Sequence, residues 1–170
     1  MINNEIYDGE YSFGNLSVLC CDNTSLVLYD DSYKQGVFDF TDRCFQEIGK
    51  KFEPSGRHGF YNDIENVFEV FYCLTADDKV IGTVALKKID DSSVELKALY
   101  LDSKYRGKGL GSRLMDKAVS EAKERGFKSI VLDSMSKYKD ALRLYEKYGF
   151  RNTERFNDNE YADVFMRLDL

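Results

Sequence analysis

The stretch that most limits the folds open to this chain is residues 105–112, YRGKGLGS, set between a strand and the start of an amphipathic helix. Before it, ELKALYL has the branched and aromatic make-up of a strand. After it, Leu110, Leu114, Met115, Ala118, Val119 and Ala122 fall on one helical stripe across 109–125, and Gly126 supplies the stop. Gly107, Gly109 and Gly111 let the backbone take dihedrals that a Cβ forbids and approach a bulky group closely. A helix start also offers free N–H groups and the positive end of the helix dipole, which together attract an anion. Lys104, Arg106, Lys108 and Arg113 concentrate positive charge here, in a chain whose net charge is −6. A diphosphate suits that local reversal; a merely tight connection is the rival reading of the glycines. The G-x-x-x-x-G-K-[ST] pattern of a P-loop is missing, and a Rossmann fingerprint belongs to an early parallel unit. This turn instead follows an antiparallel meander, past mid-chain.

The rest of the chain orders itself around that turn. Residues 1–23 are polar and aromatic without clear period and form an N-terminal extension, followed by one domain over 24–170. A short strand is expected at 25–29 (SLVLY). Val37, Thr41, Cys44, Phe45 and Ile48 then keep helical spacing up to Gly49. A loop with Pro54, Gly56 and Gly59 leads to a short segment at 61–66. Residues 68–75 and 80–88 read as a hairpin closed at Asp77-Asp78. A second turn at 90–93 opens the strand 94–101, with Val94, Leu96, Ala98 and Tyr100 expected on one face and Glu95, Lys97, Leu99 and Leu101 on the other. A buried-type strand at 129–132, a helix over 139–147 closed by Gly149, and strand material with alternating Val164, Met166 and Leu168 complete the order. The fold class is therefore α/β (α+β): a central mixed, mostly antiparallel sheet flanked by helices.

Bulk properties narrow the function. With 170 residues the chain can bury a self-sufficient core. A pI of about 4.9 argues against nucleic acid as a partner and leans toward a cationic ligand. No apolar run nears the roughly 18 residues of a membrane span, and the first residues lack the pattern of a signal peptide, so no membrane partner and a cytoplasmic location are expected. Cys20, Cys21, Cys44 and Cys73 form no C-x-x-C pair, and His58 is the single histidine, so no metal site is expected.

Two motifs carry a resemblance to the GCN5-related N-acetyltransferase superfamily. Arg106, Gly109 and Gly111 match its Arg/Gln-x-x-Gly-x-Gly/Ala signature, and Ala141, Leu144, Tyr145, Gly149 and Phe150 match its Ala-x-x-Leu-Tyr-x-x-x-Gly-Phe run. The resemblance implies the acyl-CoA N-acyltransferase fold and acetyl-CoA as cofactor, with coenzyme A as product. It implies that backbone N–H groups of Arg106, Gly107, Lys108, Gly109, Leu110, Gly111 and Ser112 hold the pyrophosphate. By the same implication the pantetheine arm pairs with the backbone of Leu99, Tyr100 and Leu101. Where the family often has Asn, this chain has Tyr138. Many relatives form a homodimer through their C-terminal strands.

Acetyl transfer to an amine sets chemical demands. An alkyl ammonium, with a pKa of about 10.4, has no lone pair until it loses a proton, so a base is needed, with donors for the developing oxyanion and an acid for the leaving thiolate. Glu95 is the base candidate, a carboxylate on the strand into the turn and at the place where several family members carry a catalytic glutamate; an ion pair with Lys97 is its rival role. Tyr145 is the acid candidate, placed by the resemblance beside the sulfur; packing in the stripe Tyr138, Ala141, Leu142, Tyr145, Tyr148 is its rival role. Arg57, His58 and Tyr61, in a loop rich in glycine and polar groups, are candidates for binding the acceptor. The expected function is N-acetyl transfer from acetyl-CoA to a primary amine, small-molecule or peptide, by direct attack. A regulatory module that binds acetyl-CoA without turnover is the alternative. A partner protein that only borrows the fold has no supporting feature in the sequence.

Overall fold

The computed structural model describes residues 23–170, so residues 1–22, including Cys20 and Cys21, lie outside the described part. Its strands are β1 (Thr24–Leu28), β2 (Val70–Ala76), β3 (Lys79–Lys88), β4 (Ser93–Leu101), β5 (Ser129–Ser134), β6 (Arg151–Asn152) and β7 (Val164–Asp169). Its α-helices are α1 (Lys34–Glu47), α2 (Ile64–Val67), α3 (Leu110–Glu124) and α4 (Lys139–Lys147). The strands form one sheet in the order β1-β2-β3-β4-β5-β7-β6. Among the described residues only the β4–β5 pairing is parallel; β1 to β4 run as an antiparallel meander, and β5, β7 and β6 pair antiparallel.

Local chemistry explains the elements. The β2–β3 turn puts Asp77 and Asp78 at φ 47° and 60°, the paired left-handed conformation of a tight hairpin, which short polar side chains tolerate. On α1 the buried side chains Val37, Phe40, Thr41, Cys44 and Phe45 follow the i, i+3, i+4 rule, and Gly49 leaves the helix at φ 69°. On α3 the apolar stripe is interrupted by a buried Glu121, which the apolar count missed. Its carboxylate accepts from the Tyr72 hydroxyl at 2.6 Å and pairs with Lys117 at 2.7 Å and Arg125 at 3.2 Å. Three donors compensate the desolvated charge and pin α3 to β2, fixing where its N-terminus lies.

Helices cover both faces of the sheet. Leu114, Met115 and Ala118 of α3 and Tyr145 of α4 pack with Leu74, Leu86, Val94, Leu96, Ile130 and Leu132 on one face. Val37, Phe40 and Phe45 of α1 pack with Phe52, Tyr61, Phe71, Cys73 and Ala85 on the other. Full burial of a side chain such as Leu114, at 0% exposure, contributes about 1.5–3 kcal/mol.

β4 departs from the simple alternation expected of it. Thr83 pairs with Tyr100 but Ala85 pairs with Lys97, so β4 carries one extra residue opposite β3. The bulge centres on Ala98 at φ 50°, whose carbonyl accepts from the Thr83 hydroxyl at 2.6 Å. Facing is reversed beyond it: Leu99 and Leu101 pack on the α3 side with Val94 and Leu96, whereas Ala98 and Tyr100 pack on the α1 side. The assignment of Ala98 and Tyr100 to the face of Val94 and Leu96 is therefore corrected.

The parallel ladder is short. Ser93, Val94 and Glu95 pair with Ser129, Ile130 and Val131, and there the pairing of β4 with β5 ends. Beyond it β4 follows β3 and β5 follows β7, so the sheet forks. Inside a fold an unpaired strand edge is unfavourable unless something pairs with it.

Candidate active site

The mouth of the fork lies below the glycine turn. Asp102 caps the short turn 103–105 by accepting from the Lys104 N–H at 3.0 Å, and Arg106 donates through Nε to the Leu101 carbonyl at 3.2 Å. Its guanidinium also lies 3.6 Å from the Glu47 carboxylate, tying the turn to the end of α1. Gly107 and Gly109 sit at φ 74° and 79°, and a Cβ built on either meets nothing within 4 Å, so the glycines face open space. The first α3 amide with a backbone acceptor is that of Arg113, which bonds Gly109 at 3.0 Å. The Arg106 N–H, expected to join the anion-binding amides, instead bonds the Ser103 carbonyl at 3.3 Å; among the described residues the N–H groups of Gly107 through Ser112 have no acceptor, so they are free to meet an anion. The Tyr148 hydroxyl, from the end of α4, lies 2.8 Å from the Ser112 carbonyl and 2.5 Å from Asp116, bracing the first turn of α3.

At the closed end of the fork lies a polar cluster. Glu95, 7% exposed, holds Lys97 Nζ at 2.7 Å and accepts from Asn157 Nδ2 at 3.0 Å, both through Oε1. Asp133 of β5 accepts from Asn157 at 2.9 Å and from Asn159 at 2.9 Å, with Lys97 at 3.5 Å. Burial alone would raise the Asp133 carboxyl. The Lys97 ammonium and the amides of Asn159 and Asn157 outweigh it and hold the carboxyl below its ordinary value. Thus Glu95 does make the ion pair named as its rival role, and it does so beside a second, partly buried carboxylate.

Tyr145 is 7% exposed, with its ring 6.0 Å from Phe150. Burial, aided by the charge of Asp133, pushes its phenol up to about 12. Tyr100 is likewise raised, by burial first and then by Tyr61, Tyr145, Cys44 and Tyr138, so several phenols gather about the fork. The Tyr138 hydroxyl is buried without a hydrogen-bond partner among the described residues, while Lys137 and Lys50 lie 5.2 and 5.8 Å from its ring centre.

The three loop residues separate. His58 accepts the Glu53 N–H on Nδ1 at 2.9 Å, stacks on Phe52 and meets Phe45 edge-on. Burial, then Arg57, lowers its basicity, which suits a neutral ring packed among aromatics. Tyr61 is 1% exposed within the aromatic core. Arg57 alone reaches outward: it pairs with Glu53 at 3.0 Å and lies 5.3 Å from the Tyr161 ring, beside the loop that carries Asn157 and Asn159. Sequence reasoning missed Lys97 as a site residue, and Asp133, Asn157 and Asn159 altogether. Lys97 was legible from its spacing to Glu95, but the two asparagines lie about sixty residues away in an irregular loop.

A forked mixed sheet with a free-amide turn at its mouth is the acyl-CoA N-acyltransferase architecture. The chain belongs to the acetyltransferase (GNAT) family, whose match covers residues 34–150. It is 31% identical over 103 residues to human N-acetyltransferase 8B, a match covering 58% of this chain and 44% of that protein. An acetyltransferase of the GNAT family from Staphylococcus aureus Mu50 superposes with a TM-score of 0.79 at 23% identity, over 86% of this chain and 98% of that one. A GNAT family acetyltransferase from Elizabethkingia anophelis, with acetyl-CoA bound, gives a TM-score of 0.63 at 18% identity, over 88% and 99%. This chain thus spans less than half the length of the human relative, and the two structures establish its fold.

Proposed function

We propose that this chain transfers an acetyl group from acetyl-CoA to a primary amine by direct attack. The observation that carries the reading is the pairing of two features at opposite ends of one fork: free amides with open space at the mouth, and the buried Glu95 beside a partly buried Asp133 at the closed end. The residues fit acetyl-CoA. The amides of Gly107 through Ser112 would hold its pyrophosphate, the open edge of β4 at Leu99, Tyr100 and Leu101 would pair with its pantetheine arm, and the relative from Elizabethkingia anophelis carries the same molecule. When bound, it supplies an activated acyl carbon.

The chain's own groups then handle protons. Glu95 takes the amine proton on Oε2, the oxygen that bears neither the Lys97 nor the Asn157 contact. Tyr145 acts on the leaving sulfur. A thiol has a pKa of about 8.5, well below that of this phenol, so complete transfer is uphill; its O–H serves as a hydrogen-bond donor to the sulfur as negative charge builds. Arg57 and Tyr161 form the rim that the acceptor passes, with His58 and Tyr61 shaping the loop behind it. A cytoplasmic setting accords with the free buried thiols of Cys44 and Cys73. Among the described residues no helix is long and apolar enough to cross a membrane. A homodimer formed at the C-terminal strands belongs to the same proposal, with sedimentation equilibrium as its check.

Calorimetry with acetyl-CoA, followed by a thiol-release screen across polyamines, amino acids, aminoglycosides and peptides, tests the reading. Binding with release for one amine class supports it. Binding with no release for any class would make the chain a non-catalytic acetyl-CoA module, and absence of binding would remove both readings.

A further inference from the structure

The loop 153–163 reaches both arms of the fork through one side chain. Asn157 Nδ2 carries two hydrogens and lies within bonding distance of two carboxylates, Glu95 Oε1 at 3.0 Å and Asp133 Oδ2 at 2.9 Å. These acceptors stand on β4 and β5, at the level where the parallel ladder ends at Glu95 and Val131. One amide therefore bridges the two arms of the fork at its root. Its orientation is fixed, because Asn157 Oδ1 accepts the Asn159 N–H at 3.1 Å, turning Nδ2 toward the carboxylates. Asn159 repeats the device, accepting the Tyr161 N–H at 3.2 Å and donating to Asp133 at 2.9 Å. The loop is braced internally by Arg155, which donates to the Asn159 and Ala162 carbonyls at 3.0 and 3.1 Å. Asp163 holds it too, accepting the Ser136 N–H and hydroxyl at 2.6 Å each.

We propose that Asn157 is a positioning residue for the acceptor amine: it clamps Glu95 and Asp133 together across the fork, so that Glu95 Oε2 faces the incoming ammonium and Asp133 adds a second negative charge beside it. This rests on the acetyl-transfer reading and narrows its substrate class to cationic amines, because two carboxylates here face one ammonium, that of Lys97. The titratable groups around the amine site are Glu95 and Lys97 on β4, Asp133 on β5 and Tyr145 on α4, with Arg57 and the loop's Tyr161 at the rim; Asn157 and Asn159 contribute uncharged amides. Removing a donor from a carboxylate disfavours its charged form.

The test compares Asn157→Asp with Asn157→Leu in the full chain. Asp keeps the oxygen that accepts the Asn159 N–H, and so keeps the loop turn, but exchanges both donors for a further negative charge beside the two carboxylates; Leu deletes the donors and the turn acceptor and adds no charge. Carbon-detected NMR of carboxyl-labelled protein reads the Asp133 titration without any acceptor. The expected result is titration at higher pH in both variants than in wild type. Thiol release with the best amine should fall at least about tenfold in both, within the range of a positioned proton acceptor, with acetyl-CoA Kd within twofold of wild type. Unmoved Asp133 titration in Asn157→Leu, or a wild-type turnover rate and pH profile in Asn157→Asp, overturns the proposal. A wild-type chain that releases no thiol with any amine overturns the acetyl-transfer reading, and this proposal with it, whatever the titration shows.

Discussion

Replacing Gly109 with valine separates what the glycine turn does for the fold from what it does for a ligand. Gly109 sits at φ 79°, where a side chain costs about 1–2 kcal/mol through crowding of its Cβ against its own backbone. No neighbour adds to that, because a Cβ there meets nothing within 4 Å. At about 2–4 °C per kcal/mol for a domain of this size, the melting temperature should fall by about 2–8 °C. Gly126, at the other end of α3, provides an internal control: its φ is 81° and its Cβ position is equally open. Across the 15 residues of α3, about 22 Å of helix separates the two sites. Gly126→Val should therefore show the same melting shift and an unchanged acetyl-CoA affinity. Gly109→Val should bind at least tenfold more weakly, about 1.4 kcal/mol, because its side chain projects into the space in front of the free amides. Calorimetry and thermal melts on both variants and wild type decide the matter. Equal affinities in the two variants would show that this turn does not hold the pyrophosphate.

Glu95→Gln should leave acetyl-CoA affinity nearly unchanged and lower thiol release on the order of 10²-fold at neutral pH, the deficit narrowing as pH approaches the amine's own pKa of about 10.4; a pH–rate profile that overlays wild type would reduce Glu95 to a structural partner of Lys97. Tyr145→Phe keeps the ring against Phe150, so stability should change by about 1 kcal/mol while kcat drops on the order of 10²-fold, and a normal kcat would leave the tyrosine to core packing. Tyr138→Phe removes a buried hydroxyl without a partner among the described residues and should raise stability by about 1 kcal/mol, seen as a higher urea midpoint; a lower midpoint would mean the hydroxyl is satisfied in solution. Burial holds Cys44 and Cys73 at about 12 against an ordinary 9.0, and Tyr145 and Tyr148 at about 12 against 10.0, so between those values the unfolded chain has released protons that the fold retains. Their stabilisation is complete below about pH 9 and is lost as pH climbs through 12, so melts run from pH 8 to 12 should show a steady fall, and a flat profile would contradict the burial of these groups.

Much of the architecture follows from the sequence alone, because it rests on interactions between near neighbours. The period of 3.6 in α1 and α3, the Asp77-Asp78 hairpin and the glycine turn are local patterns, and each stands where the spacing placed it. Glu95 and Tyr145 became candidates through the family resemblance, Glu95 by its place before Arg106 and Tyr145 by the run that ends at Gly149 and Phe150. What required the tertiary structure was whatever depends on a change of register or a long reach. A single inserted residue at Ala98 reverses the facing of Tyr100 and Leu101, and nothing in the alternation of ELKALYL announces it, since the bulge is set by the Thr83 hydroxyl on the neighbouring strand. The apolar stripe of α3 leaves Glu121 out because a carboxylate is buried only when donors such as Tyr72, Lys117 and Arg125 surround it. Tyr61 looked like a loop residue free to meet a substrate, yet aromatic packing took it into the core. The cluster at the root of the fork joins Glu95 to Asp133 and Asn157 across 38 and 62 positions of chain; only the folding of β5 and the loop before β7 onto β4 brings them within hydrogen-bond distance.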